Sequence, residues 1–422
     1  MIIKQFSSLA SNDVRRDILT IAEAGYEAIR IDTIVQSKLS YTDGVLRVGQ
    51  YSYRLSDYKR VGIVGFGKGS AQLAASIEKL VGNAIVGGVV IDIAKAPTKK
   101  VHVFVGTHPL PTEQNIKATK KLVEFVKYAQ EDDLIIAVIC GGGSSLLCDP
   151  ANMSCTDLAA VAHKLLLSGA SIQQINTVRK HLSRIHGGFL AEYVYPARLL
   201  ALVVSDVPGN DLSMVASGPT ILDTTTLAEA HAIAEKYHLP NLALIETPKA
   251  KKYFKHTKTQ LLASGLTAVE GMKAKAIELG YKPVIVSRDM HGMASLLGVQ
   301  YARRLKPGMA LLACGESQVT VKHAGRGGRN QDLALSAMDH LPRHAALLSA
   351  ASDGKDNIPV AGGIVDSEQA SSQAQRMGLH ATHAVAYNQS YNSLQKIGGI
   401  FHIEHVTANV SDFVVAIQQE GK

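Results

Sequence analysis

Five small residues, Gly141-Gly142-Gly143-Ser144-Ser145, follow the apolar run Leu134 to Cys140 and precede a second apolar stretch that can open a helix. A short apolar run bounded by glycines reads as a buried parallel strand, which puts the glycines at a strand's carboxyl end, where open α/β sheets bind ligands. Backbone without side chains can curl its N–H groups around an anion there, with two serine hydroxyls and a helix N-terminus as further donors. Such a segment suits an oxyanion or phosphate cradle. The alternative is a tight strand-to-helix turn that needs glycine only for a positive φ.

A second glycine-rich turn, Val61-Gly62-Ile63-Val64-Gly65-Phe66-Gly67-Lys68-Gly69-Ser70, nearly matches two nucleotide-binding motifs and completes neither. As a P-loop it has Gly69 where Ser or Thr should hold magnesium. As a dinucleotide fingerprint it starts at Gly65 and Gly67, but its third glycine is replaced by Ser70; Asp92, at the end of a later strand, remains available to a ribose. What survives is Lys68, a strand-end lysine set among glycines and suited to an anion, or simply a solvated lysine on a turn.

Polar groups follow apolar strands three more times. Val203 to Asp211 places Asp206, Asn210 and Asp211 after a buried run, where carboxylates can bind a cation or orient a hydroxyl, or end the strand in an Asx turn. Gly325-Arg326-Gly327-Gly328-Arg329 holds two arginines among glycines before a helix, matching phosphate or carboxylate. Ser352 to Asn357, with Asp353 and Asp356, again follows an apolar strand. Together they suggest a cleft built from the strand ends of two sheets.

The elements that must position these groups alternate in the manner of a parallel or mixed α/β sheet. Residues Ser11 to Gln36, with Asn12-Asp13 as a cap, read as one long helix. Strands are expected near Arg60–Val64, Gly88–Ile93, Lys100–Val105, Leu134–Ile139 and Leu199–Val204. Lys236 to Lys258, carrying Pro240 and Pro248, reads as the connection between domains 1–238 and 259–422. A second alternation follows, with strands near Gln260–Ala263, Pro283–Ser287, Ala310–Cys314, Gln318–Lys322 and Ala346–Ala350. The pair around Gly315-Glu316 is spaced as a hairpin, which makes the second sheet mixed.

Composition narrows the classes. At 422 residues the chain exceeds what one hydrophobic core usually serves, and 46% hydrophobic with 19% charged residues is ordinary for a globular protein. No apolar run is long enough for a membrane span. The N-terminus lacks the features of a secretory signal, which points to the cytoplasm. Cys140, Cys148, Cys155 and Cys314 are too few and too unevenly spaced for a disulfide framework or a zinc site. A net charge of +8 invites nucleic acid, but basic residues are scattered and aromatics are only 5%, without tryptophan. Attraction of small anions is the better use of that charge.

On these segments the chain resembles the MOFRL-domain glycerate 2-kinases, whose members are often labelled hydroxypyruvate reductase. The matching stretches are Gly65 to Lys68, Thr107-His108-Pro109-Leu110-Pro111, Cys140 to Leu147, Ile175 to Ser183 and Ser205 to Thr220. In the C-terminal part they are Gly315 to Leu335, Ser352 to Asp366 and, more weakly, Thr407 to Asp412. They run in the family's order over nearly the whole chain. The resemblance implies a Rossmann-like N-terminal domain, a smaller α/β C-terminal domain and a site in the cleft between them. It implies ATP- and Mg2+-dependent phosphorylation of D-glycerate to 2-phosphoglycerate, in a protein acting as monomer or homodimer.

Carried over residue by residue, the resemblance makes Lys68, Asp206 and Arg329 catalytic and gives Gly141, Gly142, Gly143, Ser144, Ser145 and Asp353 to the nucleotide. Lys68, Arg179, Arg326 and Arg329 then bind substrate, and Asp206, Asp211 and Asp353 are offered to the metal. Whether Asp206 acts as base or metal ligand stays open; His108 is a supporting donor or a structural histidine. The chain departs from the family where Ala351-Ser352 precede Asp353, where Asn357 to Val360 follow Asp356, and where Thr407-Ala408 replaces Gly-Thr. Two rival readings are an NAD(P)-dependent reductase using Gly65, Gly67 and Asp92, and a catalytically silent anion-binding protein.

Overall fold

A computed structural model describes residues 1–239 and 242–420. It divides into two units, one of residues 34–206 and 210–262 and one of residues 1–33, 207–209 and 263–422.

The 34–262 unit begins with a three-stranded antiparallel meander, β1 (Leu39–Thr42), β2 (Val45–Val48) and β3 (Tyr51–Arg54). A six-stranded sheet follows: β4 (Arg60–Phe66), β5 (Ile85–Asp92), β6 (Val101–Val105), β7 (Asp133–Ile139), β8 (Arg198–Val204) and β9 (Thr257–Ala263), in the order β6-β5-β4-β7-β8-β9. The ladders β4–β5, β5–β6, β4–β7 and β7–β8 are parallel. Every residue of β7 is buried, as a strand covered on both faces requires. The order turns outward from β4 in one direction to β5 and β6 and in the other to β7 and β8. The loops after β4 and β7 therefore flank the point where strand order reverses, which is where doubly wound sheets bind ligands.

The second unit holds a mixed sheet, β10 (Lys282–Met290), β11 (Met309–Gly315), β12 (Ala345–Ala351), β13 (Gly362–Asp366), β14 (Ile400–Phe401) and β15 (Asp412–Gln418), ordered β10-β11-β15-β12-β13-β14. Only β10 and β11 are parallel; β15 runs antiparallel between β11 and β12. The sheet is mixed as expected, but not for the expected reason. No hairpin forms at Gly315-Glu316: residues 318–322 carry a single bridge, Met293 to Gln318, and the antiparallel partner of β11 comes from the far end of the chain. The Gln260–Ala263 strand, expected to begin the second alternation, is instead the edge of the first sheet beside β8.

The expected long helix is two, Asp13–Ala28 and Ile31–Lys38, with Asn12 accepting from the Arg15 N–H as its cap. The first belongs with the C-terminal sheet rather than with the domain 1–238 in which sequence reading placed it. A Cβ at Gly25 would stand 2.6 Å from Met272 and one at Gly271 2.8 Å from the Ala24 carbonyl, so this helix and Gly265–Glu278 meet on small residues. Arg15, fully buried, pairs with buried Asp366 at 2.7 Å. Pro240, used to place the interdomain connection, lies outside the described residues. Leu239, Leu242 and Leu244 pack on the cluster beneath helices Cys155–Leu167 and Ile172–His181, so this stretch is part of the 34–262 unit. That cluster also contains Cys148 and Cys155, which the structure joins as a disulfide, a single bridge where the sequence suggested no disulfide framework.

Candidate active site

After β7 the chain turns through Gly142 at φ +75° into the short helix Gly143–Leu146. After β4 it turns through Gly67 at φ +106° and Gly69 at φ +86°, the latter capping helix Ser70–Val81. The two turns are stitched together: Lys68 N–H donates to the Gly141 carbonyl at 2.9 Å and Cys140 N–H to the Phe66 carbonyl at 3.0 Å. Glycine is required at Gly67, because a Cβ there would stand 2.2 Å from the Cys140 carbonyl oxygen. At Gly142 a Cβ would meet His108 Nε2 at 3.0 Å and Lys68 Cε at 3.5 Å. A half-buried lysine, an imidazole and side-chain-free backbone thus converge at the sheet's switch point. The buried thiol beside them, Cys140, is pushed up in pKa by burial first and then by Asp92 and Asp206, which puts Asp206 within electrostatic reach of the same turn.

Arg179 arrives from helix Ile172–His181, whose N-terminus is closed by a Ser171–Gln174 capping box. Its NH1 donates to Asn176 Oδ1 at 3.4 Å and reaches Ser217 Oγ at 3.5 Å. Ser217 in turn touches Ser144 at 2.9 Å, tying Arg179 to the glycine turn. Burial lowers the Arg179 pKa, yet a guanidinium stays charged, so this is a cation with incomplete solvation. Its neighbour Lys180 is consumed by a buried pair with Asp223 at 3.2 Å. Asp211, offered to the metal, is exposed and accepts from the Ser213 N–H and hydroxyl, closing an Asx turn.

Within the other unit, Arg329 opens helix Arg329–Ala337. Its Nε and NH2 clamp the two oxygens of Asp412, and NH2 also donates to Glu316 at 2.9 Å. Burial opposes the Arg329 charge, but Asp412, Glu316 and Asp356 outweigh it and raise its pKa. Burial pushes Asp412 up to about 7, with Arg329 pulling the other way. Asp356 caps the same helix, accepting from the Asn330 and Gln331 backbone N–H groups at 3.1 and 2.9 Å. Asp353 is half-buried and accepts from the Lys355 N–H at 3.0 Å. Arg326 is exposed and stacks on Tyr391, 4.3 Å from the ring centre.

Sequence reasoning named Lys68, the glycine turn and Arg179, which one unit brings together. It missed Asn176, Ser217, Glu316 and Asp412 as site groups. Asn176 and Arg179 are spaced i,i+3 on one helix face, a signal that was available; the long-range partners Ser217 and Asp412 had none. Asp92, the acid an NAD site would need for a ribose, accepts from the Ala71 and Ile93 N–H groups and is 3% exposed, so it is committed to the fold. Among the described residues no three His, Cys, Asp or Glu side chains gather to hold a metal. No helix among them is long and apolar enough to cross a membrane.

Residues 17–249 match the family described as "Domain of unknown function (DUF4147)" and residues 309–412 match the MOFRL family. A protein of Agrobacterium vitis named "Putative hydroxypyruvate reductase" is 35% identical, over 83% of this chain and 85% of its own. The D-glycerate 2-kinase of Thermotoga maritima is also 35% identical, over 85% of this chain and 90% of its own. A crystal structure of glycerate kinase from Thermotoga maritima superposes with a TM-score of 0.84 at 32% identity, covering 96% of this chain and 99% of that one.

Proposed function

Since the chain belongs to the MOFRL-domain family of glycerate 2-kinases, we propose that it transfers the terminal phosphoryl group of ATP to the 2-hydroxyl of D-glycerate, giving 2-phosphoglycerate and ADP. The observation that carries this reading is the stitched pair of turns at the switch point, which sets Lys68 against bare glycine backbone. Phosphoryl transfer asks mainly for positioning and charge neutralisation, and this is what those groups supply.

In this reading Lys68 and the backbone N–H groups of Gly141 to Gly143 take the negative charge of the phosphates. Ser145 lies beside them, and Arg179 holds the glycerate carboxylate. Asp206 orients or deprotonates the acceptor hydroxyl, or holds the metal. Arg329 neutralises charge on the transferring group by exchanging its exposed contact with Glu316 while Asp412 keeps its orientation, and Arg326 and Asp353 are assigned as further binding groups. Mg2+ is ordinarily held by one or two carboxylates together with substrate phosphates, and Asp206 or Asp353 would supply the carboxylate. Bound there, the ion would screen phosphate charge. A cytoplasmic monomer or homodimer is the setting we infer.

The reductase reading loses its ribose-binding acid, because Asp92 is committed to backbone. Purified protein given D-glycerate, Mg2+ and ATP should release ADP only when both substrates are present. NADH consumption with hydroxypyruvate, and no ADP, would make it a reductase; neither signal would make it a silent binding protein.

A further inference from the structure

A short chain of polar side chains runs from helix Ile172–His181 to the glycine turn, and each of its proton positions is determined. Asn176 is 4% exposed; its Nδ2 donates to the Ile172 carbonyl at 3.1 Å, while its Oδ1 accepts from Arg179 NH1 at 3.4 Å. A guanidinium only donates and a carbonyl only accepts, so the amide cannot be turned over without two repulsive contacts. Ser217, fully buried, donates its single proton to Asn176 Oδ1 at 2.7 Å. Its contact with Ser144 at 2.9 Å must then have Ser144 as donor, and Arg179 NH1 approaches the remaining lone pair at 3.5 Å. Ser217 is saturated. Half-buried Ser144 has given its proton inward and presents only lone pairs outward.

The backbone that holds Ser217 is strained for this purpose. Ala216, Ser217 and Gly218 are successive left-handed residues at φ +48°, +58° and +60°, a conformation that residues with a Cβ rarely adopt. The Gly187 and Gly188 N–H groups pin the turn, donating to the Ser217 and Gly218 carbonyls at 2.9 Å each. Ala216 lies over Gly143, where an added Cβ would be 2.6 Å from its methyl group.

From this geometry we propose that Ser144 is a specificity-determining acceptor for the non-reacting hydroxyl of a small hydroxy acid whose carboxylate lies on Arg179, with Ser217 and Asn176 as its positioning residues. This rests on the glycerate kinase reading and replaces the expectation that Ser144 donates to an anion. Ser144 and Arg179 both touch the Ser217 oxygen, so a hydroxyl acceptor and a cation stand within the length of one three-carbon acid. A neutral serine whose own proton is committed cannot take the proton from the hydroxyl that is phosphorylated. It can accept a hydrogen bond from the other one. A site built to bond a hydroxyl discriminates against the analogue that lacks it, because the acceptor's outward lone pair is then left without a donor.

The test compares kcat/KM for D-glycerate and for D-lactate, the same acid without the terminal hydroxyl, in the full-length enzyme. The wild type should prefer D-glycerate at least about a hundredfold. Ser144→Ala should lower kcat/KM for D-glycerate about thirtyfold, mainly through KM, and leave D-lactate nearly unchanged. Ser217→Gly keeps the left-handed turn open to the backbone, so it should fold with an equal or higher thermal midpoint and still lose the preference, since Ser144 regains a free proton. A Ser144→Ala enzyme that loses both substrates equally, or keeps the wild-type ratio, overturns the proposal and leaves the kinase reading intact. A wild type that phosphorylates neither acid overturns both.

Discussion

The two arginine sites solve opposite problems. Arg179 sits in the 34–262 unit, its charge met, among the described residues, by an amide oxygen and a serine oxygen. Arg329, in the other unit, is clamped through two of its nitrogens by Asp412, which is 1% exposed, and touched by Glu316. The difference teaches where binding energy is held in reserve. A cation left short of counter-charge is prepared for an anion that arrives. A cation already paired is a structural strut as much as a site, and using it requires a partner to yield.

The largest expected effect breaks the strut. Arg329→Ala should lower turnover at least about tenfold, a loss of about 1.4 kcal/mol in the transition state, and also destabilise the fold by about 3 kcal/mol, because Asp412 loses its buried partner. Burial raises the Asp412 pKa and Arg329 holds it down, so without the arginine the carboxyl can take up a proton, which keeps the cost at the low end of that range. Arg179→Met, on the open side of the comparison, should raise KM for the acid about a hundredfold with little change in stability, because it leaves no buried counter-charge behind. Steady-state kinetics beside thermal melting distinguishes them; equal melting losses in both variants would erase the contrast.

Next comes pH. His186 is fully buried, neither ring nitrogen has a well-formed hydrogen bond among the described residues, and burial, then Arg179 and Lys180, lower its pKa to about 3. Nearby Leu147 backbone pulls weakly the other way. An unfolded histidine titrates near 6.5, so between about 6.5 and 3 the unfolded chain binds the extra proton. Stability from a neutral His186 is complete above that window and is lost as pH falls through it, by about 2 kcal/mol at pH 5. Chemical denaturation of wild type and His186→Gln at pH 7 and pH 5 should show a smaller acid loss in the variant. Parallel losses would mean that the imidazole is charged in the folded state.

The smallest effect sharpens the open side. Gly142→Ala adds a Cβ against His108 and beside Lys68 at φ +75°, and should weaken nucleotide or glycerate binding about tenfold while costing roughly 1 kcal/mol of stability. Calorimetric titration that finds normal affinity in a destabilised variant would reduce the motif to a turn.

The contrast also marks what the sequence made legible. The apolar runs Leu134–Ile139 and Leu199–Val204 were readable because strands buried on both faces are nearly continuous in composition, and the glycines after the first because φ +75° with a histidine against the missing Cβ favours glycine. The strand Asp412–Gln418 inserts between β11 and β12 from beyond Ala351, far along the chain from both, and local periodicity carries no record of such pairing. The same holds for the clamp on Arg329 and for Ser217, whose left-handed backbone lies in a stretch of ordinary residues. The first helix, Asp13–Ala28, was legible as a helix but not in its allegiance, which Gly25, Gly271 and the Arg15–Asp366 pair decide.

The most direct test of the kinase assignment is the position of the transferred phosphate. Phosphorus NMR of the product from D-glycerate, ATP and Mg2+ should show 2-phosphoglycerate formed in step with ADP. Accumulation of 3-phosphoglycerate, or ADP release without any phosphorylated acid, would contradict the account.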